Sequence, residues 1–291
     1  MINIKYWIYA ARPKTLIASI APIMPVSILC IKNNVFNLPI LIIIIFAALC
    51  IQIMTNFIND LYDYKRGADT FDRVGPERML QMGYLTSKQM KKGIAVVFAL
   101  ALLSGAYLVD RGGYPILLIG LSGFLFAYLY TATKISIAYN GLGEIFVFLY
   151  FGIISSLGTY YLFTLQYSKN ALLIGSIAGA LNILLLVVNN LRDYEADMKA
   201  KKNTLIVLMG ENFGKIEFVI ISILIYLFLY FLLVGLNQVE DFLWFIPLII
   251  FALLLCYRVI YKIKFMATGA LQQISLYITL FTLLLSTIIY L

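Results

Sequence analysis

The stretch ALLIGSIAGALNILLLVVNNLRDYEADMKAKKNTL, residues 171–205, changes character at Asn189. Up to Val188 it is almost wholly apolar and close to the ~20 residues that cross a hydrocarbon core. From Asn189 it is polar, with Asp193, Glu195 and Asp197 in quick succession. An earlier stretch, NFINDLYDYKRGADTFDRVGPER at residues 56–78, makes the same transition from an apolar run into aspartates. Acids next to a membrane are costly, so acids repeated there are candidates for function.

The rest of the chain fixes what surrounds these two stretches. Of its 291 residues, 63% are hydrophobic and only 12% charged, against the ~25% charged of soluble domains. A mean hydropathy of +0.94 points to a polytopic membrane protein in the lipid bilayer, read as one integral domain over residues 1–291. Nine apolar runs are predicted to be spans: about 14–32, 38–58, 92–109, 114–132, 143–164, 171–191, 216–236, 242–261 and 271–290. The third and fourth are joined by the tight DRGGY turn. Pro22 and Pro25 in the first run, with no clear cleavage site, mark it as a retained span.

Nine spans place nineteen of the 22 Lys and Arg on one side and leave Lys32, Arg111 and Lys169 on the other. The bias follows the positive-inside rule. It predicts a cell-membrane protein with its N-terminus and both acidic stretches on the cytoplasmic face. The net charge of +8 is thereby a topology signal, and no nucleic-acid partner is expected. The chain has no histidine, which excludes His-based acid–base catalysis and His-ligated metals. Cys30, Cys50 and Cys256 lie in apolar runs without paired spacing and read as buried small hydrophobes.

Both acidic stretches follow an even-numbered span, four helices apart. The expected fold is therefore all-α, two four-helix repeats in parallel orientation plus a ninth helix around a central cavity. On a helix, residues four apart share a face, which groups Asn189, Asp193 and Asp197, and likewise Asn59 and Asp63. Asp60 lies about 100° from its stripe, and Gly67 ends the helix so that Asp69 and Asp72 belong to the following loop. Carboxylate and amide oxygens are hard donors suited to Mg²⁺, which takes one or two carboxylates and shares substrate phosphate oxygens. The candidate metal set is Asn59, Asp60, Asp63, Asp69, Asn189, Asp193 and Asp197. Lys65, Arg66, Arg73, Arg78, Arg192, Lys201 and Lys202 are interleaved with the acids and suit phosphate oxygens. Acids alone would suit cation transport. Acids and bases beside a greasy bundle suit a substrate with a diphosphate head and a hydrocarbon tail. Transport also predicts polar or broken helices at the midplane, where this chain has few polar residues, such as Gln52 and Asn182.

At these residues the sequence resembles the UbiA-type intramembrane prenyltransferases, whose hallmark is a pair of Asn-x3-Asp-x3-Asp motifs after the second and sixth of nine helices. The second motif matches in full at Asn189, Asp193 and Asp197. The first matches at Asn59 and Asp63, then departs, with Gly67 in the third place and Asp69 two residues later. NDLYDYKRGAD, ARPKTLIASIAPI, DRVGPERMLQMGYLTSKQM and AYNGLGEIFVFLYFG are similar to the 1,4-dihydroxy-2-naphthoate polyprenyltransferase branch. A family Tyr-x3-Lys motif is matched by Tyr130 and Lys134.

The resemblance implies Mg²⁺-dependent transfer from a polyprenyl diphosphate to an aromatic acceptor. In that branch the acceptor is 1,4-dihydroxy-2-naphthoate, with CO₂ lost and demethylmenaquinol formed. In others it is 4-hydroxybenzoate or a glycerol-phosphate lipid. It implies catalytic roles for Asp63, Asp193, Asp197 and Lys134. Asn59, Arg73, Arg78, Tyr130, Asn189 and Arg192 are expected at the prenyl diphosphate. Tyr139 and Asn140, which precede helix five, are expected nearer the acceptor. Arg12 and Lys14 are candidates for its carboxylate, or serve as cytoplasmic anchors. Glu144 is a further site candidate, or compensates the helix N-terminus.

Overall fold

The computed structural model describes residues 4–67, 78–133, 136–261 and 269–291. Among them the chain is almost wholly helical, and the one β-type contact is an isolated bridge between Asn140 and Asn203. Eight helices are long and apolar enough to cross a membrane: α1 Pro13–Lys32, α2 Leu38–Arg66, α3 Ser87–Leu129, α4 Gly143–Thr164, α5 Lys169–Arg192, α6 Glu211–Leu236, α7 Val239–Tyr261 and α8 Ala270–Tyr290. The nine runs read from the sequence map onto these eight because two fall within α3.

Helix α3 has 43 residues, twice the length a bilayer needs. At Gly113 its backbone leaves the helical region (φ 66°, ψ −150°), a conformation glycine reaches without a Cβ clash. The chain folds back there. The rings of Phe98 and Phe124 are 4.9 Å apart, whereas a straight helix would separate them by ~39 Å. The break falls within the DRGGY turn.

Neighbours in sequence are neighbours in space. From α2 onward each helix packs against the next, and α8 returns to α1, so the bundle closes on itself. Helix α5 is the most buried span and touches α1, α4, α6 and α8. Its approach to α4 needs glycine: a Cβ on Gly152 would lie 2.5 Å from the carbonyl oxygen of Gly175 and 2.6 Å from the Cα of Gly179. Asn182, polar in mid-bilayer, has a structural task there. Its Nδ2 donates to the carbonyls of Ala18 (3.0 Å) and Phe151 (2.9 Å). The Ala18 carbonyl would ordinarily receive the N–H of residue 22, but that residue is proline and has none. One side chain thus satisfies an orphan in α1 and ties it to α4 and α5.

The length of α2 places the first acidic stretch. Asn37 caps its start by accepting from the Ile40 N–H at 3.2 Å, and Gly67 ends it in the left-handed region. Its 29 residues span ~44 Å, longer than a ~30 Å hydrocarbon core. The excess turns carry Asn59 and Asp63 out at the membrane face.

A cavity between the two acidic stretches

Asn59 and Asp63 of α2 and Asn189 and Asp193 of α5 line one polar cavity of about 180 Å³. The helical face read from the sequence survives a break in the helix. Asp193 ends α5 (φ −93°, ψ 8°) and a short helix, Tyr194–Lys199, follows. The Asp193 N–H still donates to Asn189 O (3.0 Å), and the Asp197 N–H to Asp193 O (2.8 Å), so the four-residue register continues.

Asp63, Asp193 and Asp197 are each met by a base. Asp63 pairs with Arg78 at 3.5 Å and accepts from the Tyr139 hydroxyl at 3.0 Å. Arg192 grips Asp193 with two prongs, Nε to Oδ1 at 2.8 Å and Nη2 to Oδ2 at 2.7 Å. Lys202 pairs with Asp197 at 3.3 Å. The Asn59 amide oxygen accepts from the Thr131 hydroxyl. Burial, and then the charge of Asp63, push the Tyr139 hydroxyl up from the ordinary tyrosine range, so it stays protonated and able to donate. Burial, with Glu144 and Asp63 nearby, raises Tyr130 in the same direction.

Arg12 reaches the cavity from before α1. Its backbone is left-handed (φ 54°, ψ 69°), which costs a non-glycine residue ~1–2 kcal/mol. Asn56 of α2 offsets this by donating to the Ala11 carbonyl at 2.9 Å, which holds the N-terminal helix Ile4–Ala11 over the site.

Beside this polar cavity lies an apolar one of about 590 Å³, formed by parts of α1 to α4. Tyr130 lines both. Phe126, Phe146 and Tyr150 form a cluster on the apolar side, with centroid separations of 4.7 Å and 5.1 Å from Phe126 to the other two.

Of the residues picked from the sequence, Arg12, Asn59, Asp63, Arg78, Tyr130, Asn189, Arg192 and Asp193 line the polar cavity. Tyr139 touches it through Asp63, and Asp197 through Lys202. Three stand apart. Lys14 is exposed outside the cavity, because the turn at Arg12 sends its neighbours in different directions. Asn140 is also exposed: its side chain donates to the Ser136 carbonyl (2.7 Å) and its backbone pairs with Asn203. Asp60 is buried on another face of α2, as its 100° offset requires. Asp69, Arg73 and Lys134 lie outside the described residues. The structure adds Tyr9, Thr15, Thr131, Asn190 and Thr204 to the lining. Asn190 was legible as half of the Asn189–Asn190 doublet; the others belong to no spacing pattern.

A match to the UbiA prenyltransferase family model covers residues 19–269. The chain belongs to the UbiA prenyltransferase family. Curated relatives agree. The 1,4-dihydroxy-2-naphthoate octaprenyltransferase of Haemophilus influenzae is 34% identical over 226 residues, 74% of this chain and 73% of that protein. The enzyme of that name from Escherichia coli is 33% identical over 70% of this chain and 68% of its own. Among solved structures, a UbiA homologue from Archaeoglobus fulgidus bound to GPP and Mg²⁺ superposes with a TM-score of 0.69 at 16% identity, covering 98% of this chain and 100% of that one. That likeness shows the fold. This UbiA-family chain is thus a multi-pass membrane prenyltransferase, and the expected all-α membrane architecture holds.

Proposed function

We propose that this prenyltransferase moves a polyprenyl group from an allylic polyprenyl diphosphate to 1,4-dihydroxy-2-naphthoate. CO₂ is lost and demethylmenaquinol formed, in one catalytic domain spanning residues 1–291 with its site on the cytoplasmic face. The observation that carries the reading is the junction at Tyr130 between a charged cavity and a larger apolar one. A diphosphate with a hydrocarbon tail needs both at once. The names of the curated relatives support the naphthoate acceptor, and the one-sided basic residues support the orientation.

The donor set suits Mg²⁺. Among the described residues no three acids lie close enough together to hold one metal ion, and each wall offers one acid and one amide, Asp63 with Asn59 and Asp193 with Asn189. A hard cation completed by water and substrate phosphate takes such a set. Mg²⁺ bound there supplies Lewis-acid neutralisation of charge on the departing diphosphate.

The chain's own residues do the rest. Arg78, Arg192, Lys202 and Arg12 line the same cavity and donate to diphosphate oxygens. The sequence adds positive charge at Arg73 and Lys134. The Phe126, Phe146 and Tyr150 rings exclude water and turn π faces to the allylic cation at the junction.

Purified enzyme in liposomes, given one radiolabelled prenyl diphosphate and a panel of acceptors, should prenylate 1,4-dihydroxy-2-naphthoate with reversible dependence on Mg²⁺. Preference for 4-hydroxybenzoate or a glycerol-phosphate lipid would overturn the acceptor assignment. The tail cavity has its own test. Gly120 lines it and a Cβ there meets nothing within 4 Å, so Gly120→Leu should point its side chain into free space. Use of a long prenyl donor should fall by about tenfold while a short donor is spared, since filling apolar space discriminates by ~1–3 kcal/mol.

A further inference from the structure

Three acids line the polar cavity: Asp63, Asp193 and Glu144. The first two are ion-paired with arginines. Glu144 forms no ion pair within 4 Å among the described residues, and its side chain is met by an amide, Asn190 Nδ2 donating to Oε1 at 3.1 Å. It is nonetheless buried, at 6% exposure. Its neighbour Gly143 places it at the junction, since a Cβ on Gly143 would lie 3.5 Å from the Tyr130 hydroxyl. Two residues on, Phe146 lines the apolar cavity. Among the described residues, the ionisable groups facing Glu144 are Tyr130 and, from α6, the buried Glu217.

The position matters because of where the reaction must occur. With the diphosphate in the polar cavity and the chain in the apolar one, C1 of the prenyl group sits at the junction. The attacking ring must be there too. A phenolic acceptor brings hydroxyl donors whose proton a carboxylate can take, and among the described residues every carboxylate lining the cavity except Glu144 is already engaged with a cation. One Glu144 oxygen is fixed by Asn190, which orients the other.

We infer that Glu144 is the group that accepts the phenolic proton of the aromatic acceptor. This rests on the prenyl-transfer reading above and adds a residue to it. The phenolic O–H breaks and its proton passes to the Glu144 carboxylate. The ring carbon bearing the carboxylate bonds to C1 of the chain, while the C1–O bond breaks with its electron pair leaving on the diphosphate. The ring is then a β-keto carboxylate. It loses CO₂, the released pair returns through the ring to the oxygen, and that oxygen takes the proton back from Glu144. The carboxylate is regenerated without an outside acid or base.

The test uses full-length enzyme, one prenyl diphosphate and ring-substituted 1,4-dihydroxy-2-naphthoates of graded phenol acidity. Glu144→Gln keeps an oxygen for Asn190 but is not a base. It should lower kcat by about 10²–10³-fold, in the range of a lost general base, with the prenyl diphosphate KM within about twofold of the parent. Its rate should also climb more steeply with phenol acidity. Glu144→Asp, still an acid, should recover part of the rate and the shallower dependence. The inference is overturned if Glu144→Gln retains kcat within about threefold, if its dependence on acidity matches the parent's, if it loses prenyl diphosphate binding, or if Glu144→Asp is no better than Glu144→Gln. A parent enzyme that prenylates no member of the series would instead overturn the acceptor reading on which the inference rests.

Discussion

The two acidic stretches do the same thing by different construction. Asp63 lies on an unbroken helix, and its partners arrive from far along the chain: Arg78 from before α3 and Tyr139 from the turn before α4. Asp193 sits at a break in its helix, and the adjacent Arg192 pairs with it; Asp197 is met by Lys202, five residues on. Charge balance in the first half therefore depends on the assembled tertiary structure. In the second the described ion pairs lie within one short segment. Tyr139 joins the two. Its hydroxyl serves Asp63, while Arg66 lies over its ring at 4.3 Å and Lys202 at 5.8 Å.

The comparison breaks first, if it breaks, at the acids. Asp63→Asn and Asp193→Asn should each lower kcat by about 10²–10³-fold, the scale of removing one electrostatic contact to developing charge. The radiolabelled transfer assay reads this directly. Near-parental turnover in either variant would show that only one wall of the cavity participates.

A smaller effect separates local from assembled pairing. Arg192 holds Asp193 through two parallel bonds that lysine cannot reproduce. Arg192→Lys should cost about ten- to a hundredfold in kcat/KM for the prenyl diphosphate, as for a truncated buried charge pair. Because that pair is local, the melting temperature should move less than in Arg78→Lys, which weakens a contact between distant segments. Equal shifts by thermal denaturation in detergent would erase the distinction.

The same contrast explains what could be read in advance. The second acidic stretch was legible because its geometry is helical: Asn189, Asp193 and Asp197 recur every four residues and their backbone bonds keep that register. Asn59 and Asp63 were legible for the same reason, while Lys14 and Asn140 are exposed outside the cavity lining, each beside a turn, at Arg12 and at Gly141, that helical spacing does not describe. The fold was legible in its spans since apolar length is additive along the chain. The hairpin at Gly113 was legible through its glycine pair. The tail cavity was not. Its walls are apolar residues from four different spans with no spacing in common, and only packing brings Ala47, Leu117 and Phe151 to one surface. Thr131 and Thr15 were hidden likewise, being ordinary residues until the fold sets them beside Asn59 and Asn56.

The smallest expected effect is at the residue that joins the halves. Tyr139→Phe keeps the ring beneath Arg66 and Lys202 and removes the hydroxyl's bond to Asp63 together with its interaction with Arg66. A hydrogen bond to a charged group contributes ~1.5–3 kcal/mol at most, and Arg78 remains on the same carboxylate. The loss in kcat/KM should therefore be about tenfold or less. The pH dependence gives a second readout with a definite sign. Burial raises the Tyr139 pKa in the folded protein. The folded state thus binds that proton more tightly than the unfolded state. The stabilisation is fully present below the ordinary tyrosine value of about 10 and is lost as pH rises through the folded pKa above it. Between about pH 6 and 9 the hydroxyl is protonated throughout. Parent and Tyr139→Phe profiles should be parallel in that window and differ only in height. An ionisation that vanishes from the parent profile on removing the hydroxyl would mean that Tyr139 itself titrates during turnover, and the bridge between the two halves would then be a charge and not a neutral donor.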